Sequence, residues 1–161
     1  MPSTYRKLFQ VAYVTTDLAA ALDAFHDQQG VADFLDLGQV SLDVADGAVV
    51  EIKIALGYVD DVLIEIVEPV GGAVDLYRRH LATDGFDLRL HHLGYLADSG
   101  AELDAIAEEH LRSGHPIALK GSFGSLARFF YADTETTLGH YQEYVFFDAG
   151  GQELLTSIPR N

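Results

Sequence analysis

An α+β fold built from two copies of a β-α-β-β-β unit is what this sequence predicts, and three observations carry the prediction. Apolar residues recur first at strand spacing, then at helix spacing, then at strand spacing for three segments, and the series runs through twice. The starts of the two series align. Gln10-Val11-Ala12-Tyr13-Val14-Thr15-Thr16-Asp17 lies against His92-Leu93-Gly94-Tyr95-Leu96-Ala97-Asp98, which pairs Gln10 with His92, Tyr13 with Tyr95 and, after a one-residue slip, Asp17 with Asp98. The ends align as well, Val62 to Pro69 against Tyr141 to Phe147, which pairs Glu65 with Glu143. Gln10 and Glu65 are 55 residues apart and His92 and Glu143 are 51 apart, as two copies of one supersecondary unit would have it.

The first module is placed at residues 1–72. Residues 8 to 16 read as its first strand, and Asp17 is an N-cap for a helix from Leu18 to Gln28 whose Leu18, Ala21, Leu22 and Phe25 make one apolar stripe. Gly30 ends that helix. Strands follow at Ala32 to Leu37, Val49 to Tyr58 and Val62 to Val67, with Asp43 to Gly47 as a polar loop and Asp60-Asp61 as a turn. Pro69, Gly71 and Gly72 close the module, and residues 73–87 read as a linker, with a short helix from Val74 to Thr83. The second module, 88–161, repeats the order with a strand from Leu88, a helix from Ala101 to Ser113 stopped by Gly114 and Pro116, and strands at Ile117 to Lys120, Ala127 to Ala132 and His140 to Phe147. From Asp148 onward the pattern weakens, though Leu154, Leu155 and Ile158 can pack back on the body. The two modules together make one domain.

Composition narrows the function. A formal charge of −15 disfavours nucleic acid and anionic membrane surfaces, both of which select basic patches. Without cysteine, disulfide staples, thiolate metal sites and cysteine nucleophiles are all excluded. The start, Met-Pro-Ser-Thr-Tyr-Arg-Lys, is followed by no long apolar run, and nothing approaches ~20 apolar residues in a row, so the expectation is a cytoplasmic protein with no membrane partner.

Two β-α-β-β-β units whose first and last strands each carry a metal-competent side chain resemble the vicinal oxygen chelate superfamily, which includes glyoxalase I, methylmalonyl-CoA epimerase, extradiol dioxygenases and bleomycin-resistance proteins. The motifs that carry the resemblance are His91-His92-Leu93-Gly94-Tyr95, Leu63-Ile64-Glu65-Ile66-Val67-Glu68-Pro69, and Tyr131-Ala132-Asp133-Thr134 followed by Leu138-Gly139-His140-Tyr141-Gln142-Glu143. They look most like the glyoxalase and epimerase branch. The resemblance implies a cup-shaped mixed sheet and places the ligands of one divalent metal at Gln10, Glu65, His92 and Glu143. It further implies a homodimer.

One imidazole, two carboxylates and an amide oxygen suit Zn²⁺, Ni²⁺, Co²⁺, Mn²⁺ or Fe²⁺ better than Mg²⁺. Singly, His92 reads as a strand histidine bonded within the core, and Gln10 carries no signal. The carboxylates say more. A glutamate flanked by Leu63 and Val67 on a core-facing strand costs several kcal/mol if buried charged and unpaired, so it needs a cation, a proton or water. Gln10 stands where many relatives have histidine, which counts against ring-cleaving dioxygenases with their two histidines and one glutamate. By resemblance the chain is a metal-dependent isomerase, epimerase or lyase that takes a proton from beside a metal-bound carbonyl of a small organic substrate, with Glu143 as the general base and Glu65 its mirror on the opposite face. The alternative is a metal-free protein that sequesters an apolar small molecule. Tyr13 and Tyr95, on the opposite strand faces, are expected to pack under the helices. His91, by the same alternation, is expected to face away from His92.

Overall fold

The computed structural model describes residues 7–161, so Met1 to Arg6 at the start of the predicted first module lie outside the described residues. The first module contains β1 (Leu8–Thr15), α1 (Leu18–Gln29), β2 (Leu35–Val44), a 3₁₀ turn at Ala45–Gly47, β3 (Val49–Val59) and β4 (Val62–Gly72). A one-turn helix α2 (Asp75–Arg78) leads to β5 (Leu88–Leu96), α3 (Gly100–Arg112), β6 (Ile117–Phe123), β7 (Ala127–Ala132), the one-turn α4 (Glu135–Leu138), β8 (Tyr141–Phe147) and α5 (Ala149–Ser157).

The helix boundaries follow from capping chemistry. Asp17 accepts a hydrogen bond from the Ala20 amide at 3.0 Å, and Gly30 closes α1 in the left-handed conformation, φ 68°. Ser99 caps α3 in the same way through the Glu102 amide.

Several segments depart from the sequence expectation, among them β4, which runs on through Pro69 to Gly72 rather than ending at Val67, and β6, which runs past Lys120 to Phe123. The second strand was expected to stop at Leu37, with a polar loop at Asp43 to Gly47, but β2 runs on to Val44. A register shift between Asp36 and Gln39, with Gly38 at φ 65°, restarts the in-and-out alternation, after which Val40, Leu42 and Val44 turn inward. The linker helix expected over Val74 to Thr83 is a single turn. The tail after Asp148 forms α5, capped by Asp148 on the Gly151 amide at 2.8 Å.

The eight strands close into a barrel in the order β1-β4-β3-β2-β6-β7-β8-β5. Each module pairs its first and last strands in parallel, and β1 and β5 join the modules antiparallel at the centre. The far rim closes through only two residue pairs, Asp43 with Ser122 and Val44 with Gly121. The internal repeat is visible in the register: Gln10 pairs with Leu63 and His92 with Tyr141, so in each module the carboxylate lies two residues beyond the partner of the first-strand residue. Side chains two apart on a strand share a face, and all four therefore project to the same side of the sheet. Across the centre the relation is reciprocal, with Gln10 opposite Gly94 and Ala12 opposite His92.

The barrel interior holds the largest apolar cluster, with Val50, Ile52, Leu63, Tyr77, Phe129 and Tyr131 among its members. Two smaller clusters sit outside it, one under each long helix. Tyr13 packs there with Leu18, Ala21 and Phe25 of α1, and Tyr95 with Leu103 and Ala107 of α3, as expected of both tyrosines. Among the described residues no helix is long and apolar enough to cross a membrane.

Candidate metal centre

Gln10, Glu65, His92 and Glu143 come together inside the barrel of a single chain. His92 is fully buried, and the Glu65 and Glu143 side chains are only 15% and 9% exposed. His92 Nε2 lies 3.2 Å from Glu65 Oε2 and 3.4 Å from Glu143 Oε2, and Gln10 Nε2 donates to Glu65 Oε2 at 2.8 Å. A cavity of about 80 Å³ opens beside them, walled by apolar side chains that include Ile52, Leu56, Phe129 and Val145, with Leu154 and Leu155 of α5 at its edge. The Tyr77 and Tyr131 hydroxyls, 3.2 Å apart, bring polar atoms to the same wall.

Burial decides the charges. It would by itself push the His92 imidazole down, but the Glu143 and Glu65 carboxylates beside it reverse the effect and hold its pKa at about 9. The same burial pushes the Glu65 carboxyl above the usual carboxylate range, against the opposing pull of His92 and Gln10. Burial, together with the nearby Glu143 and Glu65, also raises both tyrosines, which keeps them neutral hydroxyls.

The alternation rule fails at His91. Ala12 pairs with His92 but Tyr13 pairs with Leu90, so His91 is the extra residue of a β-bulge and turns inward beside His92 rather than away from it. Its Nδ1 lies 2.8 Å from His92 Nδ1, its Nε2 lies 3.2 Å from the Leu76 carbonyl oxygen, and its ring stacks on Tyr77 at 5.0 Å. Sequence reasoning missed this residue because a bulge leaves no trace in apolar periodicity. The adjacent His-His pair was the one available signal. Away from the site, His26, His80 and His115 are exposed, while His110 is half-buried against the Tyr144 hydroxyl.

The donor set fits a divalent metal. Among the described residues no group of three or more His, Cys, Asp or Glu side chains stands so that it could hold a metal ion, and the carboxylates rest against the imidazole instead. Yet His92 Nε2 is a buried nitrogen without a hydrogen bond, because neither carboxylate is aligned to accept one. Two donors each about 2.1 Å from one ion at tetrahedral or octahedral angles stand about 3.0–3.4 Å apart. The observed spacings, 2.8 to 3.4 Å, span that range. A half-turn of the Gln10 amide would present its oxygen where its nitrogen now meets Glu65.

No protein-family model matches the sequence, and no curated protein matches it. Solved structures do. Methylmalonyl-CoA epimerase from Mycobacterium tuberculosis superimposes with a TM-score of 0.61 at 14% identity over 95% of this chain and 95% of that one. A variant of Streptomyces coelicolor methylmalonyl-CoA epimerase in complex with 2-nitronate-propionyl-CoA gives 0.59 at 17% identity over 89% and 95%. A hypothetical protein from Bacillus halodurans gives 0.57 at 17% over 88% and 94%. The barrel of paired β-α-β-β-β units, with its reciprocal β1 and β5 at the centre, is therefore the vicinal oxygen chelate fold in the form these epimerases share.

Proposed function

We propose that the chain is a metal-dependent epimerase or isomerase that moves a proton at the carbon beside a carbonyl of a small substrate. The single observation that supports this most is the approach of two carboxylates, at 3.2 and 3.4 Å, to one buried imidazole nitrogen next to an apolar cavity. Gln10, Glu65, His92 and Glu143 would hold the ion. When bound, a divalent ion supplies Lewis-acid stabilisation of the negative charge that builds on a carbonyl oxygen as the neighbouring proton leaves.

The protein's own residues divide the remaining work. Glu65 is held in place by the Gln10 amide at 2.8 Å, whereas Glu143 has no such amide partner and lies 3.4 Å from His92 Nε2. Glu143 is thus the freer carboxylate, and it takes the proton. Glu65, the second carboxylate, returns one on the other face, as an epimerase requires. Apolar walls keep bulk water from the carbanionic carbon, and the Tyr77 and Tyr131 hydroxyls are placed to orient a polar substrate group. The fold shared with methylmalonyl-CoA epimerases makes a 2-substituted acyl thioester the first substrate class to try.

The test is purified protein incubated with Zn²⁺, Ni²⁺, Co²⁺, Mn²⁺ or Fe²⁺ and then with methylmalonyl-CoA and a panel of other carbonyl compounds in D₂O. Deuterium beside the carbonyl, or inversion there, is expected with at least one metal and substrate. Wild-type protein that retains none of these metals after dialysis overturns the reading and leaves a binding protein in its place.

A further inference from the structure

We propose that His91 is a positioning residue that fixes His92 in the Nδ1–H tautomer and so keeps the Nε2 lone pair of His92 turned toward Glu65 and Glu143. The inference rests on the metal-centre reading above for its purpose, but its structural content concerns only hydrogens on two rings.

Helix α2 ends after one turn, so the Leu76 carbonyl, which a longer helix would give to the amide four residues on, is left for a side chain. His91 Nε2 meets it at 3.2 Å. A carbonyl oxygen only accepts, so Nε2 of His91 carries the hydrogen. The His91 ring is enclosed by Tyr77, Tyr131 and Tyr141 at centroid distances of 5.0, 5.7 and 5.2 Å, with no carboxylate bonded to it, a setting that disfavours a second proton and its charge. Nδ1 of His91 is then a lone pair. The 2.8 Å contact between the two Nδ1 atoms requires one donor, which must be His92. With its hydrogen committed to Nδ1, a neutral His92 has its lone pair at Nε2, the atom that faces both carboxylates.

The β-bulge makes this possible. On a regular strand His91 and His92 would point to opposite sides of the sheet, and the two Nδ1 atoms could not meet. The extra residue between the partners of Ala12 and Tyr13 brings adjacent imidazoles onto one side, and the stacked Tyr77 ring holds His91 in the plane the contact needs. The short α2, the bulge and the His-His pair thus act on one atom. A ligand whose second nitrogen is held in this way spends no free energy selecting a tautomer when it binds a metal.

The direct test is a long-range ¹H–¹⁵N spectrum of histidine-labelled, metal-free wild-type protein at pH 10, above the pKa of His92, repeated on protein saturated with Zn²⁺. The expected result is a hydrogen on Nδ1 of His92 and on Nε2 of His91 in the metal-free protein. With Zn²⁺ present, the His92 Nε2 signal alone should shift. A hydrogen on Nε2 of neutral His92 overturns the proposal, with no variant needed. His91→Leu, which removes the acceptor, should weaken Zn²⁺ or Co²⁺ binding about 10- to 100-fold, whereas His91→Asn, whose amide oxygen can take the place of Nδ1, should stay within a few-fold of wild type. A folded His91→Leu protein that binds as tightly as wild type also overturns it. Wild-type protein that takes up no metal while showing the Nδ1–H tautomer supports the positioning role of His91, and that failure falls on the proposed function alone.

Discussion

Gly94 lies directly under the side chain of Gln10: a Cβ built at position 94 would come 2.7 Å from Gln10 Oε1 and 2.8 Å from Gln10 Cβ. The two residues are cross-strand partners at the centre of the barrel, and the missing side chain of one is the space the other uses to reach Glu65. Gly94→Ala should therefore displace Gln10 as a whole, because its Cβ cannot rotate away. We expect about 1–3 kcal/mol of destabilisation from overpacking, and about tenfold weaker metal binding as the amide leaves Glu65. Thermal melts and a Co²⁺ titration check both. A variant with wild-type melting and affinity would mean that Gln10 has room to move and is not held by this contact.

Glu143→Gln should leave the fold intact and lower turnover by roughly 10²- to 10⁴-fold, the usual cost of losing a general base. The amide keeps the volume and can still offer an oxygen to a metal, so metal content should fall less than activity. Glu65→Gln separates the two faces. In a true epimerisation it should be comparably damaging, while solvent exchange at the face served by Glu143 should persist. Wild-type turnover in metal-loaded Glu143→Gln protein rules out its role as base.

The repeat was legible because it is written in side chains of distinct chemistry. Gln10, Glu65, His92 and Glu143 fall at matched positions, and the parallel pairing of β1 with β4 and β5 with β8 turns that linear match into a spatial one. The capped ends of α1 were legible too, since Asp17 and Gly30 act within a few residues of themselves, whereas the sequence reading named no cap for α3, a role the structure gives to Ser99. What escaped depends on partners distant in sequence. The bulge at His91 exists through pairing with β1, a strand some eighty residues earlier. Similarly, α5 is amphipathic only with respect to a barrel whose inner wall must first be built, and its Leu154 and Leu155 then reach the cavity.

The metal-free protein should lose stability between pH 6.5 and 9. His92 binds its proton more tightly in the folded state, at about 9 against an ordinary 6.5, so its contribution is complete below 6.5 and disappears as the pH rises through the folded value. Glu65, also raised, has the same sign from a lower starting point. His91, held well below its ordinary value by burial and by His92, has the opposite sign and costs stability as the pH falls below 6.5. Melting in EDTA should accordingly peak near pH 6.5. At about 1.4 kcal/mol per pKa unit, the loss toward pH 9 is about 3 kcal/mol, or roughly 5–10 °C in a chain of this size. Saturating Zn²⁺ should remove most of the slope, since the ion takes the place of the proton. A flat EDTA profile over this range, or the same slope in His92→Gln, would show that other groups control it.

Asn161 ties the end of α5 to the first module. Its side-chain oxygen accepts from the amides of Ala32 and Asp33 at 3.0 and 2.8 Å, and its side-chain nitrogen donates to the carbonyls of Asp33 and Tyr58 at 3.0 and 3.1 Å. Its own amide bonds the Tyr58 carbonyl at 2.9 Å, and the preceding Arg160 bridges alongside Tyr58, with its guanidinium 4.5 Å over that ring. A segment that leaves the barrel at β8 is in this way returned to β3, which carries α5 and its two leucines along the cavity. The other end is fixed by packing, since a Cβ on Gly151 would come 2.2 Å from the Leu126 carbonyl oxygen. Asn161→Ala removes the four side-chain bonds and keeps the backbone one. Because the site is exposed, each bond contributes at the low end of the usual range, and the total should be about 1–3 kcal/mol. The loss should be local. Amides of α5 should exchange with solvent faster, those of β1 and β5 should not, and metal affinity should hold because no ligand lies on α5. If α5 exchange is unchanged while global stability falls, Asn161 braces the Ala32-Asp33 segment and not the helix.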